Sequence, residues 1–216
     1  GIFGSLFLGE ALFTRDMLSA DFSDDDDTFF TGETADYRSE ERDGRYRLTA
    51  TTSSPSVPLE NVAHFKREDV GYFKRTPNDV DIQADVVAVD AGAQAVVGLE
   101  CVHSASGDVA GARYVFTAGT GDEPYRLVFM PDRSSPNAEL EFGVVASESG
   151  PPLRAGQRLG LQCNDRSVTG LIDDTEVVAV GDPAFKSFEA AGLTFWTDTK
   201  GDWVEFDNVT AVVPEH

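Results

Sequence analysis

Cysteine and methionine are nearly absent: two of each occur in 216 residues, and lysine is scarcely commoner at four. Two cysteines without a C-x-x-C cannot furnish the four ligands of a structural zinc site. The three histidines, His64, His103 and His216, are scattered along the chain and read as non-catalytic. No HExxH, no Gly-x-Ser-x-Gly and no glycine-rich phosphate loop occurs, so these residues give no sign of the corresponding metalloprotease, serine-hydrolase or nucleotide chemistry. No apolar run reaches the ~20 residues that span a bilayer.

The longest apolar run, GIFGSLFLGEALF at 1–13, is interrupted by Glu10 and lacks the basic start of a signal peptide. It reads as an amphipathic segment packing on the domain. The alternatives are the stub of a membrane anchor and an arm that docks on a neighbouring subunit. Positive charge is the other scarcity. Against 38 acidic residues stand 17 basic ones, giving a net charge of −21. Phosphate binding needs clustered Lys and Arg, so this balance repels nucleic acid and anionic membranes and excludes nucleic acid as a partner. The acidic excess itself reads as a solvated surface.

What is present is β signal. Fifteen Phe and an aromatic share of 10% point to a core of aromatic and β-branched side chains. Residues 1–20 read as a short helix or extended arm, and DFSDDDDTFF (21–30) breaks any regular pattern. RYRLTAT (45–51) follows an Asp43-Gly44 turn and alternates Tyr46, Leu48 and Ala50 with polar neighbours. NDVDIQADVVAVD (78–90) is the cleanest period-two run: Val80, Ile82, Ala84 and Val86 point one way, the acids and Gln83 the other. Further strands are expected at 94–103, 112–119, 125–131, 140–147, 157–163, 191–198 and 202–213. A hairpin over 168–180 should turn at Asp173-Asp174. The stretch 52–69 reads as a loop with room for a short strand or turn. About ten strands with no helix after residue 20 mean an antiparallel sandwich or barrel in one domain. The domain is placed at 21–216, with 1–20 as an apolar arm or anchor stub.

The two cysteines stand in near-repeats, VGLECVH around Cys101 and LGLQCND around Cys163. A redox pair would ordinarily lie close in sequence near a helix start, whereas these lie within expected strands. Each shares a face with the leucine two before it, so both point into a core or onto a covered face. A disulfide is the preferred reading and two buried free thiols the alternative. A bridge would stabilise the fold by roughly 3–5 kcal/mol and imply an oxidising compartment.

Laid out in order, Asp21-Phe22-Ser23, Asp43-Gly44-Arg45-Tyr46, Cys101, Tyr114-Val115-Phe116, Cys163 and Phe206-Asp207-Asn208 resemble a family of bacterial extracellular domains. These have the concanavalin A-like jelly roll, akin to laminin-G-like modules and 3-keto-disaccharide hydrolase-type domains. The resemblance covers about residues 21–213. It implies an all-β, two-sheet antiparallel sandwich with the cysteines joined and the first and last strands adjacent. It also implies a secreted or surface-displayed location. At the hairpin, where the family tends to carry Asn-Gly, this chain has Asp173-Asp174. Related jelly rolls often hold a structural calcium ion near the paired termini. Asp207 and Asp21, with the Asp24–Asp27 run, are the corresponding candidates; turn capping by Asp207 and Asn208 is the alternative.

Carbohydrate binding asks for exposed aromatic faces beside carboxylates and amides. Trp196, Trp203, Tyr114 and Tyr125 are the candidates, with FWTDTKGDW (195–203) as a rim loop; the alternative is that they are sandwich core. Glycoside hydrolysis would need paired carboxylates. ELEF (139–142) supplies Glu139 and Glu141 without a third acid in register. Asn208-Val209-Thr210 matches a glycosylation sequon but falls inside an expected strand, which favours a chance match.

The reading that follows is a non-catalytic extracellular recognition module, most simply one that binds a glycan. An assembly subunit that docks on a surface protein or self-associates through residues 1–13 is the alternative, and a sugar hydrolase the third.

Overall fold

The computed structural model describes residues 17–22, 29, 31–53, 62–64, 78–103, 105–106, 109–110, 112–131, 143–188 and 190–214. These form seventeen strands and no helix. In chain order they are β1 (Met17–Ala20), β2 (Gly32–Glu33), β3 (Tyr37–Arg42), β4 (Arg45–Ala50), β5 (Val62–His64), β6 (Val80–Asp90), β7 (Val96–Val102), β8 (Ala105–Ser106) and β9 (Val109–Ala110). Then come β10 (Arg113–Gly119), β11 (Tyr125–Met130), β12 (Gly143–Glu148), β13 (Gln157–Cys163), β14 (Ser167–Ile172), β15 (Thr175–Gly181), β16 (Ala190–Trp196) and β17 (Trp203–Val212).

One antiparallel sheet has nine strands in the order β15-β14-β13-β6-β17-β4-β3-β2, with β1 also paired to β17. The second has six, in the order β12-β11-β10-β7-β16-β5, and β8 with β9 makes a separate ribbon. The two large sheets form a jelly-roll sandwich around one core, as the strand pattern and the resemblance lead one to expect. The first and last strands are adjacent, with Met17 opposite Val212 and Ala20 opposite Val209. Four residues of the segment read as an arm, Met17–Ala20, are thus a strand of the nine-stranded sheet. The apolar stretch 1–13 lies outside the described residues.

Alternation fixes the faces. Along β6, Val80, Ile82, Ala84 and Val86 are fully buried while Asp81, Gln83 and Asp85 look outward. The facing layer comes from Val97, Leu99 and Cys101 of β7, Phe116 of β10, and Leu193 and Phe195 of β16. The sheets approach so closely at Gly170 of β14 that a Cβ there would collide with the Phe116 ring, so only glycine fits. Cys101 of β7 and Cys163 of β13 are joined, tying the middle of one sheet to the other across 62 residues of chain. Their Cα atoms are 6.7 Å apart, within the usual span of such a bridge.

The six-stranded sheet differs in having its outer face buried too. Val115, Val128 and Met130 form a second apolar cluster on that side. This is why β7 and β10 read as almost continuous apolar runs whereas β6 alternates.

Two hairpins turn in the same way with different residues. Asp43 and Gly44 have φ of 53° and 72°, and Asp173 and Asp174 have 50° and 62°, so both are two-residue turns of the type that needs φ > 0 twice. Asp173 is held by its side chain, which accepts hydrogen bonds from Arg158 N at 2.9 Å and Gln157 Nε2 at 3.1 Å. Asp174 is exposed and occupies the position that glycine takes in the first turn. Replacing Asp174 by Gly should therefore stabilise the fold by about 0.5–1 kcal/mol, read as a higher denaturation midpoint. An unchanged or lowered midpoint would count against this account of the turn.

Candidate functional site

The four aromatics considered for a sugar platform are not brought together. Tyr114 sits next to Phe116 in the inward alternation of β10 and is 4% exposed. Its ring packs on Phe129 and Phe185, and its hydroxyl accepts a hydrogen bond from Ala184 N at 2.7 Å. Tyr125, 5% exposed, lies against Gly150 and donates its hydroxyl to Pro151 O at 2.7 Å. Both tyrosines belong to the core, not to a rim. The two tryptophans are outward residues of different sheets, Trp196 next to inward Phe195 and Trp203 next to inward Val204. They therefore lie on opposite outer faces of the sandwich. Trp196 has a buried indole N–H with no hydrogen-bond partner among the described residues.

The rim loop between them is firmly held. Asp202 Oδ2 accepts from Thr197 Oγ1 at 2.7 Å and from Gly92 N at 2.8 Å, and its backbone carbonyl receives Ala50 N at 2.8 Å. These bonds fix the start of β17 and hence the place of Trp203.

On the outer face of the nine-stranded sheet, Trp203 adjoins a set of charged groups that the sequence alone did not assemble. β17 pairs with β4, placing Glu205 opposite Arg47 and Trp203 opposite Thr49. Arg47 donates from Nε to Glu205 Oε1 at 2.9 Å, and Arg45 from Nη1 to Glu205 Oε2 at 3.2 Å. The Arg47 guanidinium carbon lies 4.0 Å from the centroid of the Trp203 ring, a cation–π contact. Glu205 is buried between the two guanidiniums, while Trp203 and Arg45 are partly exposed.

Across the next two strands, β6 and β13, Arg158 donates to Asp85 Oδ1 at 2.7 Å, and Asn208 Nδ2 of β17 donates to Asp85 Oδ2 at 2.9 Å. The Arg158 hydrogen bond leads in holding the Asp85 carboxyl below the usual carboxylate range, so it stays ionised as an acceptor. A shallow cleft of about 480 Å³ opens beside this pair, lined by Val87, Gly156, Arg158 and the Asp173-Asp174 turn. The face thus offers an aromatic ring, carboxylates and guanidinium donors within neighbouring strands.

The Phe-Asp-Asn motif proves to be a bulge. The register of β17 against β6 shifts between Asp207 and Thr210, and Asn208 has φ of 47°. There β17 passes from β4 to β1 as its neighbour. Asp207 Oδ1 accepts from Asn208 N at 2.7 Å, the capping role. Asn208 is exposed, so the sequon asparagine sits at a bulge and not in a regular strand. Asp21 is also exposed. Among the described residues no three His, Cys, Asp or Glu side chains gather as metal ligands. The Asp24–Asp27 run, Glu139, Glu141 and His216 lie outside the described residues. His103 stacks on Phe185 at 4.8 Å and its Nδ1 lies 2.8 Å from Ser187 O, a packing role.

The other outer face holds a buried pair, Glu100 of β7 and Arg113 of β10, with Arg113 Nε 3.2 Å from Glu100 Oε2. Burial pushes the Glu100 carboxyl up to about 7, and the Arg113 charge opposes that rise. In register the neighbours of Glu100 are Gly192 and Val115. Neither adjoining strand places a second carboxyl directly beside it, as glycoside hydrolysis by a carboxyl pair would need.

No protein-family model matches this chain, and no curated protein matches it in sequence. Solved structures do match. The carbohydrate recognition domain of Emp46p, in its potassium-bound form, aligns with TM-score 0.62 and 11% identity over 94% of this chain and 98% of that one. A Bacillus subtilis protein of unknown function with a galectin-like fold aligns with TM-score 0.58 and 10% identity, over 94% and 99%. A prokaryotic β-1,3-1,4-glucanase from a mouse hindgut metagenome aligns with TM-score 0.57 and 11% identity, over 93% and 100%. At these identities the likeness is one of fold. The chain has the galectin-like, concanavalin A-like sandwich, an architecture shared here by a recognition domain and a glucanase.

Proposed function

We propose that this chain is an extracellular carbohydrate-recognition module whose ligand lies on the outer face of the nine-stranded sheet. The observation that carries the reading is Trp203, partly exposed, with the Arg47 guanidinium over one face of its ring and Glu205 bonded to that arginine on an outward polar face. An aromatic ring flanked by fixed hydrogen-bonding groups is what a sugar needs, its C–H face on the ring and its hydroxyls on the polar groups. The fold is that of a carbohydrate recognition domain and of a glucanase, which favours a sugar ligand without fixing which one. Recognition is preferred to hydrolysis because the nearby carboxylates of Glu205 and Asp85 are each tied to arginines. The bridge between Cys101 and Cys163 favours an oxidising, extracellular setting. Membership of the laminin-G-like branch belongs to the same proposal.

The assembly reading has one observation in its favour. Val144 and Val145 of β12, the edge strand of the six-stranded sheet, are 54% and 42% exposed. Its other half, the apolar segment 1–13, lies outside the described residues, and the carbohydrate reading is preferred because the residues that support it are described.

A glycan array tests the proposal. The native chain should bind one or more glycans, Trp203→Ala should lose at least about tenfold in affinity, and Trp196→Ala should bind as the native chain does. Binding lost with Trp196 and kept without Trp203 would overturn the assignment of the face.

A further inference from the structure

Asn208-Val209-Thr210 is the chain's single Asn-x-Ser/Thr tripeptide; Asn61, Asn78, Asn137 and Asn164 are followed two residues on by Ala63, Val80, Glu139 and Arg166. Inside a regular strand its acceptor amide would be crowded by side chains of the strands on either side. The bulge removes that crowding. On one side β17 pairs with β6 up to Asp207 opposite Asp85 and resumes with Thr210 opposite Gln83. On the other it pairs with β4 up to Phe206 and with β1 from Val209 onward. Asn208 therefore has no cross-strand partner in register on either side, and it is exposed. Its φ of 47° lies in a region where asparagine is several-fold enriched.

The hydrogen bonding of the amide tolerates substitution. Asn208 Nδ2 carries two hydrogens and donates to Asp85 Oδ2 at 2.9 Å. A sugar on Nδ2 replaces one hydrogen and leaves the other, so the bond to Asp85 survives the modification. Asp85 is outward-facing on β6, which places the Asn208 side chain on the outer face of the nine-stranded sheet. Asn208 follows Trp203 by five residues, roughly 15 Å of strand, so a glycan there is rooted beyond the ring proposed to carry the ligand.

We infer that Asn208 is an acceptor for N-linked glycosylation during secretion. The donor is a lipid-linked oligosaccharide, a polyprenyl diphosphate bonded to C1 of the first sugar. The Nδ2–C1 bond forms as the C1–O bond breaks, its electron pair leaves on the diphosphate, and Nδ2 gives up one proton. Val209 is fully buried and Thr210 partly buried, so the folded strand does not display the tripeptide. Transfer therefore precedes the closing of β17 into the sheet. The bridge between Cys101 and Cys163 favours the oxidising secretory route on which such transfer takes place.

The test expresses the full chain behind a cleavable leader in a eukaryotic secretory host. Intact mass is measured before and after peptide N-glycosidase in heavy-oxygen water. Most secreted molecules should exceed the sequence mass by an oligosaccharide, which the enzyme removes while turning Asn208 into heavy-oxygen aspartate. That label reads the site in the native chain without any variant. Asn208→Gln and Thr210→Val should each abolish the added mass, and Thr210→Ser should keep it. Where Asn208→Gln is not secreted, because glutamine suits the bulge conformation less well, Thr210→Val decides, since it leaves Asn208 in place. A native chain secreted without an oligosaccharide on Asn208, or with one on a minority of molecules, would overturn the inference. So would added mass at Asn208 that persists in Thr210→Val.

Discussion

Replacing Cys101 and Cys163 by alanine together should lower stability by about 4 kcal/mol, the chain-entropy expectation for a bridge closing this much chain. The cysteines are 62 residues apart, and the bridge joins β7 of one sheet to β13 of the other. Strand pairing supplies hydrogen bonds within each sheet but none between them. Between the layers the contact is chiefly side-chain burial, to which Leu99, Leu161 and Phe116 contribute. Freed of the link, the unfolded chain gains conformations while the native core loses two sulfurs from its centre. For a chain of this size the melting temperature should fall by roughly 10 °C. Adding reductant to the native protein should give a comparable shift, and the double variant should not respond to reductant. A double variant as stable as the native chain would show that burial alone holds the layers together.

The second large effect concerns pH. Glu100 is wholly buried, and its carboxyl is pushed from the ordinary 4.5 up to about 7. Between those two values the folded chain keeps a proton that the unfolded chain has released. This contribution to stability is fully present below about pH 4.5 and is lost as pH rises through about 7. The difference corresponds to about 3 kcal/mol over that window. Glu100→Gln cannot titrate, so the stability of the native chain relative to the variant should fall by that amount as pH rises from about 4.5 to about 7. Below about pH 7 Arg113 faces a protonated carboxyl in the native chain and a neutral amide in the variant, so the loss of a charged partner enters only above that pH. The variant's amide cannot ionise, so the pH dependence of the difference between the two proteins reports the Glu100 carboxyl. Parallel denaturation curves for the two proteins from pH 4.5 to 7.5 would contradict the assignment.

Much of the fold was legible because local rules and tertiary structure agree. The alternation of Val80, Ile82, Ala84 and Val86 predicted a strand with one wet face, and β6 is one. The paired Gly-Leu-x-Cys frames pointed both cysteines inward, where they meet. Tyr114 and Tyr125 show a signal that was present and outweighed. Each alternates in phase with an inward residue, Phe116 and Leu127, so periodicity already favoured the core over a rim. The site was harder to see. Arg47 and Glu205 are 158 residues apart, and only the pairing of β4 with β17 brings them together. The arginines of RYRL lie on the strand's polar face in the sequence, but no local pattern names their partner. Glu100 and Arg113 were hidden for another reason. Their strands are buried on both faces, so a polar residue in the run carries no phase that marks a pair. Asp207 and Asn208 read as interior to a strand because a bulge leaves little trace in composition.

The chain has only two tryptophans, and the fold sets them on opposite faces. Their two indole N–H signals in a nitrogen-15 correlation spectrum therefore report on the two faces separately. Titrating the native chain with polygalacturonate and with lichenan, after assignment through Trp196→Phe and Trp203→Phe, tests the central claim most directly. The account predicts that a bound glycan shifts the Trp203 signal and leaves the Trp196 signal in place. A shift confined to Trp196 would put the ligand on the six-stranded sheet and contradict the account.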